Sequence, residues 1–596
     1  MSVGDVSLAC ATALVDELAA GGITHACLSP GSRSTPLALA LARHPSIDLQ
    51  VHLDERSSAF VAVGMAKATG RPAIVATTSG TAVAELLPAT VEASQARVPL
   101  VLLTADRPPR LRGTGANQTI VQPGIFGGYV RASLDLPVPA AAGQEAWWRQ
   151  AAREAFDAMA KDALGPVHLN CPFDEPLTPE SRHVASSATH PERASAAGTR
   201  REELGLESEE AERLAEVVSG ARGAVVVGSL PPSLDAPTEI WSRLMGWPVL
   251  AEPLSNARCP GAALAAGPSL IGSSWMEGHV PDVVLQLGAA PTTRATQGFV
   301  ASTERLVVVD RWHLDPDPDR HASWRLAVDP EQLTQAFGRH PVVQRLAGGD
   351  GIALTGEHTR SEIQQLWSGR IDPAPADWTD GWRDADRRAR AILDDLLDGW
   401  DEPFEPRIAR DVAAWMPHGG RLFVGNSSPV RDLDLAMAPR GGLTVLGNRG
   451  ASGIDGSIST AIGVAAARRG PTVALLGDLA LLHDAGALLW NASRDVDLTI
   501  VVVNNRGGHV FSLLPQRELP EHERLFVTPH GLEIGALCAA AGAGHERVER
   551  ASGLRPALDR ATGAGGLRVV EVEVDPELGL RRRAELRDEI DRALAR

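Results

Sequence analysis

Cysteine is scarce in this chain: Cys10, Cys27, Cys171, Cys259 and Cys538 are scattered through 596 positions with no paired spacing. A disulfide framework or a zinc site is therefore not expected, and buried free thiols are. No apolar run approaches the ~20 residues of a bilayer span. The first 32 residues contain no Lys or Arg and no long apolar core, so no secretory leader is expected and the chain reads as cytoplasmic. Basic charge is short as well. Acidic residues number 74 against 57 basic ones, a formal net charge of −17, which removes the electrostatic basis for a general nucleic-acid role. No Gly-x-Gly-x-x-Gly opens a helix after the strands that end at Gly228 and Gly288, so a dinucleotide site is not expected there.

What is present is ordinary globular material, 44% apolar and 22% charged, in a length that calls for two to four domains. Helical and strand patterns alternate almost throughout, which predicts an α/β architecture of doubly wound parallel sheets. Three domains are expected, at 1–182, 183–350 and 351–596. They are separated by polar stretches near Ser181–Glu210 and Ala347–Ala376 that read as linkers. The triplet Arg581-Arg582-Arg583 falls in a mixed-charge helix and is expected to be a solvated face.

The most informative stretch runs from Gly477 to Gly508. The apolar run Thr472–Leu476 suits a buried parallel strand and stops at Gly477-Asp478; Leu481–Arg494 has helical spacing; Leu498–Val503 is the next strand and stops at Asn504-Asn505. A strand-helix-strand unit sets its strand ends side by side. Asp478 and Asn505, 27 positions apart, can therefore converge on one hard cation, with a bare carbonyl from the Gly507-Gly508 turn as a third oxygen. Mg²⁺ suits such a set, since it fills its octahedron with phosphate oxygens and water. Taken singly, both strand ends are also common turn chemistry.

Towards the amino end, the loop Ser29–Pro36 offers hydroxyls and Arg33 at a strand's carboxyl end, a place suited to an anion. A second strand runs into Asp54-Glu55-Arg56-Ser57 at the start of a helix. In isolation the helix dipole accounts for acids there. Further strands end at Arg107, which precedes Asn117-Gln118, and, in the middle of the chain, just before Arg294. Near the carboxyl end, two successive strand ends are followed by Ser427 with Arg431 and by Arg449 with Ile454.

The spacing Gly-Asp-x to Asn-Asn resembles the signature of the thiamine-diphosphate decarboxylase and acetolactate-synthase superfamily. Leu53–Phe60 resembles the segment carrying its catalytic glutamate. Ser29–Pro36, Asp54–Ser58, Asn426–Arg431, Asn448–Gly456 and Phe511–Pro515 resemble one branch closely, the 2-succinyl-5-enolpyruvyl-6-hydroxy-3-cyclohexene-1-carboxylate synthases of menaquinone biosynthesis.

The resemblance implies thiamine diphosphate with Mg²⁺ or Mn²⁺ held by Asp478, Asn505 and Gly507. It makes Glu55 the acid that hydrogen-bonds the pyrimidine ring and favours its imino form. Ser427, Ile454, Gly477, Leu479 and Val510 would complete the cofactor site. Ser32, Arg33, Arg107, Asn117, Gln118, Arg294, Ser427, Arg431, Arg449 and Phe511 would hold two substrates, 2-oxoglutarate and isochorismate, which bring four carboxylates between them. Where relatives often carry a lysine before the middle-domain arginine, this chain has Thr293. The family usage also implies a homodimer or homotetramer with sites at the subunit interface. The alternative is another thiamine-diphosphate decarboxylase or carboligase with a different acceptor.

Overall fold

The computed structural model describes residues 1–160, 163–180, 208–230, 238, 241–311, 316–330, 333, 372–491 and 496–596. Most of both expected linkers lies outside the described residues. Three sheets are present, every strand pair in them parallel. The first has the order β2 (Asp48–Val51), β1 (His25–Leu28), β3 (Ala73–Thr77), β4 (Leu100–Asp106), β6 (Val167–Pro172), β5 (Ser133–Asp135). The central one runs β11 (Trp324–Leu326), β10 (Arg305–Val309), β9 (Val283–Leu287), β7 (Gly223–Val227), β8 (Val249–Ala251). The last runs β13 (Leu443–Leu446), β12 (Gly420–Val424), β14 (Thr472–Gly477), β15 (Leu498–Asn504), β17 (Leu567–Glu573), β16 (Gly544–Val548).

Counted from their own first strands, the first and last sheets share the permutation 2-1-3-4-6-5, so the two ends of the chain are the same fold used twice. In both, the connections change side between the first and third strands, the switch point that opens a crevice at the strands' carboxyl ends. Strands β4 and β15 are buried at all seven positions, as apolar runs covered on both faces must be.

The two terminal sheets share one hydrophobic core. It is joined by helix Glu55–Thr69 lying against helix Ser457–Ala467. The helices approach so closely that a Cβ on Gly64 would stand 2.1 Å from the Thr460 carbonyl oxygen, and one on Gly463 2.0 Å from that of Val61. The central sheet has its own core. Trp378, Trp382 and Leu393 of helix Ala376–Gly399 and Leu586 and Ile590 of the C-terminal helix Pro576–Leu594 pack into it.

Three expectations need correction. The helical spacing over 481–494 breaks into Asp478–His483 and Ala485–Asn491. Asp484 at the break is fully buried and accepts from the Ser459 N–H at 2.7 Å and from its hydroxyl at 3.1 Å, so a side chain-to-backbone bond has displaced a helical turn. The arginine triplet is not a solvated face. Arg583 lies 2.7 Å from Asp432 and 3.4 Å from Glu405, and the Arg582 guanidinium stacks 4.3 Å over Trp400. The apolar turn that follows, seated in the central core, draws these residues inward. Finally, all five cysteines are free, but Cys259 is only part-buried.

Candidate active site

The crevice between β12, β14 and β15 is a cleft of about 620 Å³, within the usual size of a ligand site. Its lining brings together Ser427, Arg431, Arg449, Ile454, Gly477, Asp478, Leu479, Asn505, Gly507, Val510 and Phe511. These residues are spread over 85 positions (511 − 427 + 1 = 85) and meet because four consecutive strand ends open onto one edge.

Asp478 is buried, and burial pushes its carboxyl above the ordinary range, against hydrogen bonds that favour the charged form. Its Oδ2 accepts from the Gly507 N–H at 2.8 Å and lies 3.1 Å from His530 Nε2. Its Oδ1 accepts from the Leu479 N–H at 2.7 Å. Gly507 has φ +155°, and a Cβ there would stand 2.5 Å from the Val527 carbonyl oxygen, so only glycine fits. A Cβ on Gly477 would meet nothing within 4 Å, leaving backbone bare to the cleft. The Asn505 side chain lines the cleft and has no hydrogen-bond partner among the described residues. No cluster of three His, Cys, Asp or Glu side chains able to hold a metal occurs among the described residues. A cation here would draw on carboxylate, amide, carbonyl and phosphate oxygens, a hard donor set that fits Mg²⁺ or Mn²⁺.

On the opposite wall, Ser427 adopts φ +70°, ψ −127° just before helix Ser428–Ala436, backbone strain of the kind concentrated at functional sites. Its carbonyl accepts from Arg431 at 2.6 Å. Asn426 is buried and donates to the carbonyls of Asn448 and Gly453, both at 2.6 Å, while its Oδ1 accepts from Arg449 at 2.9 Å. Burial and the neighbouring Arg431 hold the Arg449 guanidinium below its usual pKa. Two cations share this wall, and an anionic ligand would relieve their repulsion.

The N-terminal residues form a separate group. Arg33 and Arg107 are both buried; burial first and then the Arg33 charge lower Arg107. Arg107 donates to the Gln118 carbonyl at 2.7 Å and to the Ser79 hydroxyl, and Gln118 Nε2 donates to the Ser79 carbonyl at 2.8 Å. Arg33 donates to Glu175 at 2.9 Å and to the Phe173 carbonyl at 3.1 Å. Ser32 and Asn117 are exposed beside them.

The adjacent acids divide their work. Asp54 caps helix Glu55–Thr69, accepting from the Ser57 N–H at 3.1 Å. The part-buried Glu55 is left to its surroundings, and burial with Asp54 and Glu85 pushes its carboxyl up. Neither Glu55 nor this arginine group is among the residues lining the Asp478 cleft. The single chain therefore presents two separate groups of candidate residues.

Arg294 is the exposed first residue of helix Arg294–Ala301; Thr292 and Gln297, but not Arg294, line the cleft.

Two family models match the chain, the N-terminal TPP binding domain of thiamine pyrophosphate enzymes over residues 8–125 and the C-terminal one over 432–572. Curated relatives cover nearly all of it. A 2-succinyl-5-enolpyruvyl-6-hydroxy-3-cyclohexene-1-carboxylate synthase of Thermobifida fusca is 41% identical over 99% of both chains. Proteins of the same name from Saccharopolyspora erythraea and Chloroflexus aurantiacus are 40% and 39% identical, over 98% and 94% of this chain and 97% and 92% of theirs. The chain belongs to this synthase family. It is thus a thiamine-diphosphate enzyme, and both terminal sheets, with their shared permutation, carry its cofactor-binding domains.

Sequence reasoning did not single out several residues that shape the family's site here. Asn426 opens the segment Asn426–Arg431, and its role shows only once the chain from Asn448 to Gly453 is folded against it. His530 in the segment Pro529-His530-Gly531 carried no signal at all. Glu405 and Asp432 line the cleft and meet Arg583 from the far end of the chain. No helix among the described residues is long and apolar enough to cross a membrane.

Proposed function

We propose that this enzyme decarboxylates 2-oxoglutarate and adds the remaining four-carbon unit to isochorismate, giving 2-succinyl-5-enolpyruvyl-6-hydroxy-3-cyclohexene-1-carboxylate and carbon dioxide for menaquinone synthesis. The observation that carries this is the pairing, in one cleft, of the Asp478–Asn505–Gly507 oxygen set with Arg431 and Arg449. When bound, thiamine diphosphate supplies the carbon nucleophile and electron sink for decarboxylation and carbon–carbon bond formation. Asp478, Asn505 and the Gly507 carbonyl would hold Mg²⁺ or Mn²⁺, which neutralises the diphosphate. Bare backbone at Gly477, with Leu479 and Val510, would let the diphosphate approach. Ile454 and Ser427 would wall the cofactor's middle. Glu55 would share a proton with the pyrimidine ring nitrogen, a task suited to a carboxyl raised by burial.

The arginines Arg33, Arg107, Arg431 and Arg449, with Ser32, Asn117, Gln118 and Phe511, orient the substrates' carboxylates and keep the cleft compatible with four negative charges. Arg294 joins them if its helix start turns towards the cleft that Thr292 and Gln297 already line. Bringing Glu55 to the cofactor requires a second copy of the chain, so the enzyme works as a homodimer, alone or within a tetramer. Exposed Leu53, Leu489 and Trp490 support this: Trp490 donates to the Val51 carbonyl at 3.3 Å, which places an uncovered apolar patch beside Glu55.

The test is consumption of isochorismate, followed by its absorbance, with 2-oxoglutarate, thiamine diphosphate and Mg²⁺ present. No consumption would reject the substrate pair and leave a carboligase with a different acceptor. Glu55→Gln should retain cofactor binding in calorimetry and lose on the order of 10²-fold or more in turnover, since an amide cannot share the proton. Near-parental turnover would remove Glu55 from the chemistry.

A further inference from the structure

The chain contains two lysines, and one of them, Lys67, is buried in the last turn of the helix that begins at Glu55. Its Nζ donates to Glu92 Oε1 at 2.9 Å, to the Gly447 carbonyl at 2.6 Å and to Asn448 Oδ1 at 2.9 Å, which uses all three ammonium hydrogens. Glu92, on helix Leu87–Gln95, accepts in addition from the Gly450 N–H at 3.2 Å and the Ala451 N–H at 2.8 Å. The two side chains are 7% and 3% exposed. A buried pair from the N-terminal domain thus grips the loop after β13 on both sides of one residue. The lysine takes positions 447 and 448, and the glutamate takes 450 and 451.

The residue between is Arg449. Its neighbours in the chain are held on both sides while its own guanidinium reaches Asn426 at 2.9 Å. A Cβ on Gly450 would stand 2.5 Å from the Glu92 carbonyl oxygen, so the loop lies directly against the helix. A buried ion pair is a weak source of net stability, because desolvation offsets much of the attraction, whereas four directional bonds to one loop fix its position. Hydrophobic packing would hold the loop as firmly but would not aim it.

We propose that Lys67 and Glu92 are positioning residues that set the Arg449 guanidinium for a substrate carboxylate, so that the N-terminal domain tunes substrate binding in the cleft of its own chain. This rests on the reading of Arg449 as a substrate ligand. Lys67 lies 12 residues beyond Glu55 (67 − 55 = 12) on one helix, ~18 Å along its axis. The catalytic acid and the Arg449 loop are therefore tied to the two ends of one rigid rod.

A double-mutant cycle on the full-length holoenzyme tests this, with KM for each substrate, kcat and thermal midpoint measured for Lys67→Met, Arg449→Gln and the combination. Lys67→Met should raise, by about tenfold, the KM of the same substrate that Arg449→Gln affects, and the double variant should be within about twofold of Arg449→Gln. Glu92→Gln, which keeps an acceptor for the loop amides, should fall between parent and Lys67→Met, and it serves if Lys67→Met does not fold. Effects that multiply, or a lowered midpoint with both KM values unchanged, would overturn the proposal.

Trypsin cleavage at the Arg449–Gly450 bond, followed by mass spectrometry, reads the loop without turnover. It should accelerate by about tenfold in Lys67→Met, since cleavage tracks the population of open loop, and an unchanged rate would likewise overturn the proposal. A parent enzyme that does not consume isochorismate sinks the functional reading instead, and the cleavage assay still decides whether the pair holds the loop.

Discussion

Glu252 illustrates how far one buried side chain can be moved by its surroundings. Burial and the Asp434 charge push its carboxyl up to about 7, against the favourable bonds from the Thr292 N–H and hydroxyl and the attraction of Arg449. Between pH 4.5, the ordinary glutamate value, and about 7, the folded chain keeps a proton that the unfolded chain has lost. Its contribution is therefore fully present below pH 4.5 and is lost as pH rises through about 7. Glu252→Gln keeps the shape and removes the charge. It should be more stable than the parent at about pH 8, by on the order of 1–3 kcal/mol, and indistinguishable at about pH 4.5, in denaturant midpoints measured at both. At this scale the sequence was legible where chemistry is local. The meeting of Asp478 and Asn505 in one cleft follows from strand ends, and the place of Glu55 at a helix start from the acids there. Glu252, Asn426, Lys67 and Arg583 were not legible, because each acquires its meaning from a partner on another strand or helix tens to hundreds of positions away.

Among the elements, the crossing of helices Glu55–Thr69 and Ser457–Ala467 sets the relation of the terminal sheets and has the least slack. Gly64 and Gly463 permit contact between backbones, and the Thr460 carbonyl, which faces Gly64, belongs to a helix whose first turn is held by buried Asp484. Gly64→Ala inserts a methyl where only backbone can yield. It should cost about 1–3 kcal/mol despite the better helix propensity of alanine, seen as a lowered thermal midpoint with the central domain's unfolding unchanged. The two strands that end at Gly477 and Asn504 were readable almost to the residue, since buried parallel strands write continuous apolar runs. Helix ends were less so. Asp484 interrupts a helical period for a bond to Ser459 that no local pattern announces, and Arg581-Arg582-Arg583 reads as a solvated face because its charges are visible in the sequence and its helix's docking surface on the central core is not.

At the scale of the molecule, the same fold stands at both ends of the chain, yet one copy of the chain sets Glu55 outside the cleft that holds Asp478. If the cofactor is gripped by Glu55 of one chain and Asp478 of another, two dead variants should revive each other. Glu55→Gln and Asp478→Ala homodimers each lack one essential group at both sites. In a mixed dimer, one site receives both defects and the other receives neither, because the intact Glu55 comes from the Asp478→Ala chain and the intact Asp478 from the Glu55→Gln chain. Random reassortment makes half of the dimers mixed, each with one good site of two, so activity should return to about one quarter of the parent's after co-refolding or subunit exchange. Were both groups to serve the same chain's cofactor, no assortment would restore a working site, and activity in the mixture would stay at the level of the separate variants. The assay needs no knowledge of which chain donates which substrate arginine, and it separates a composite site from a self-sufficient one by the presence or absence of rescue.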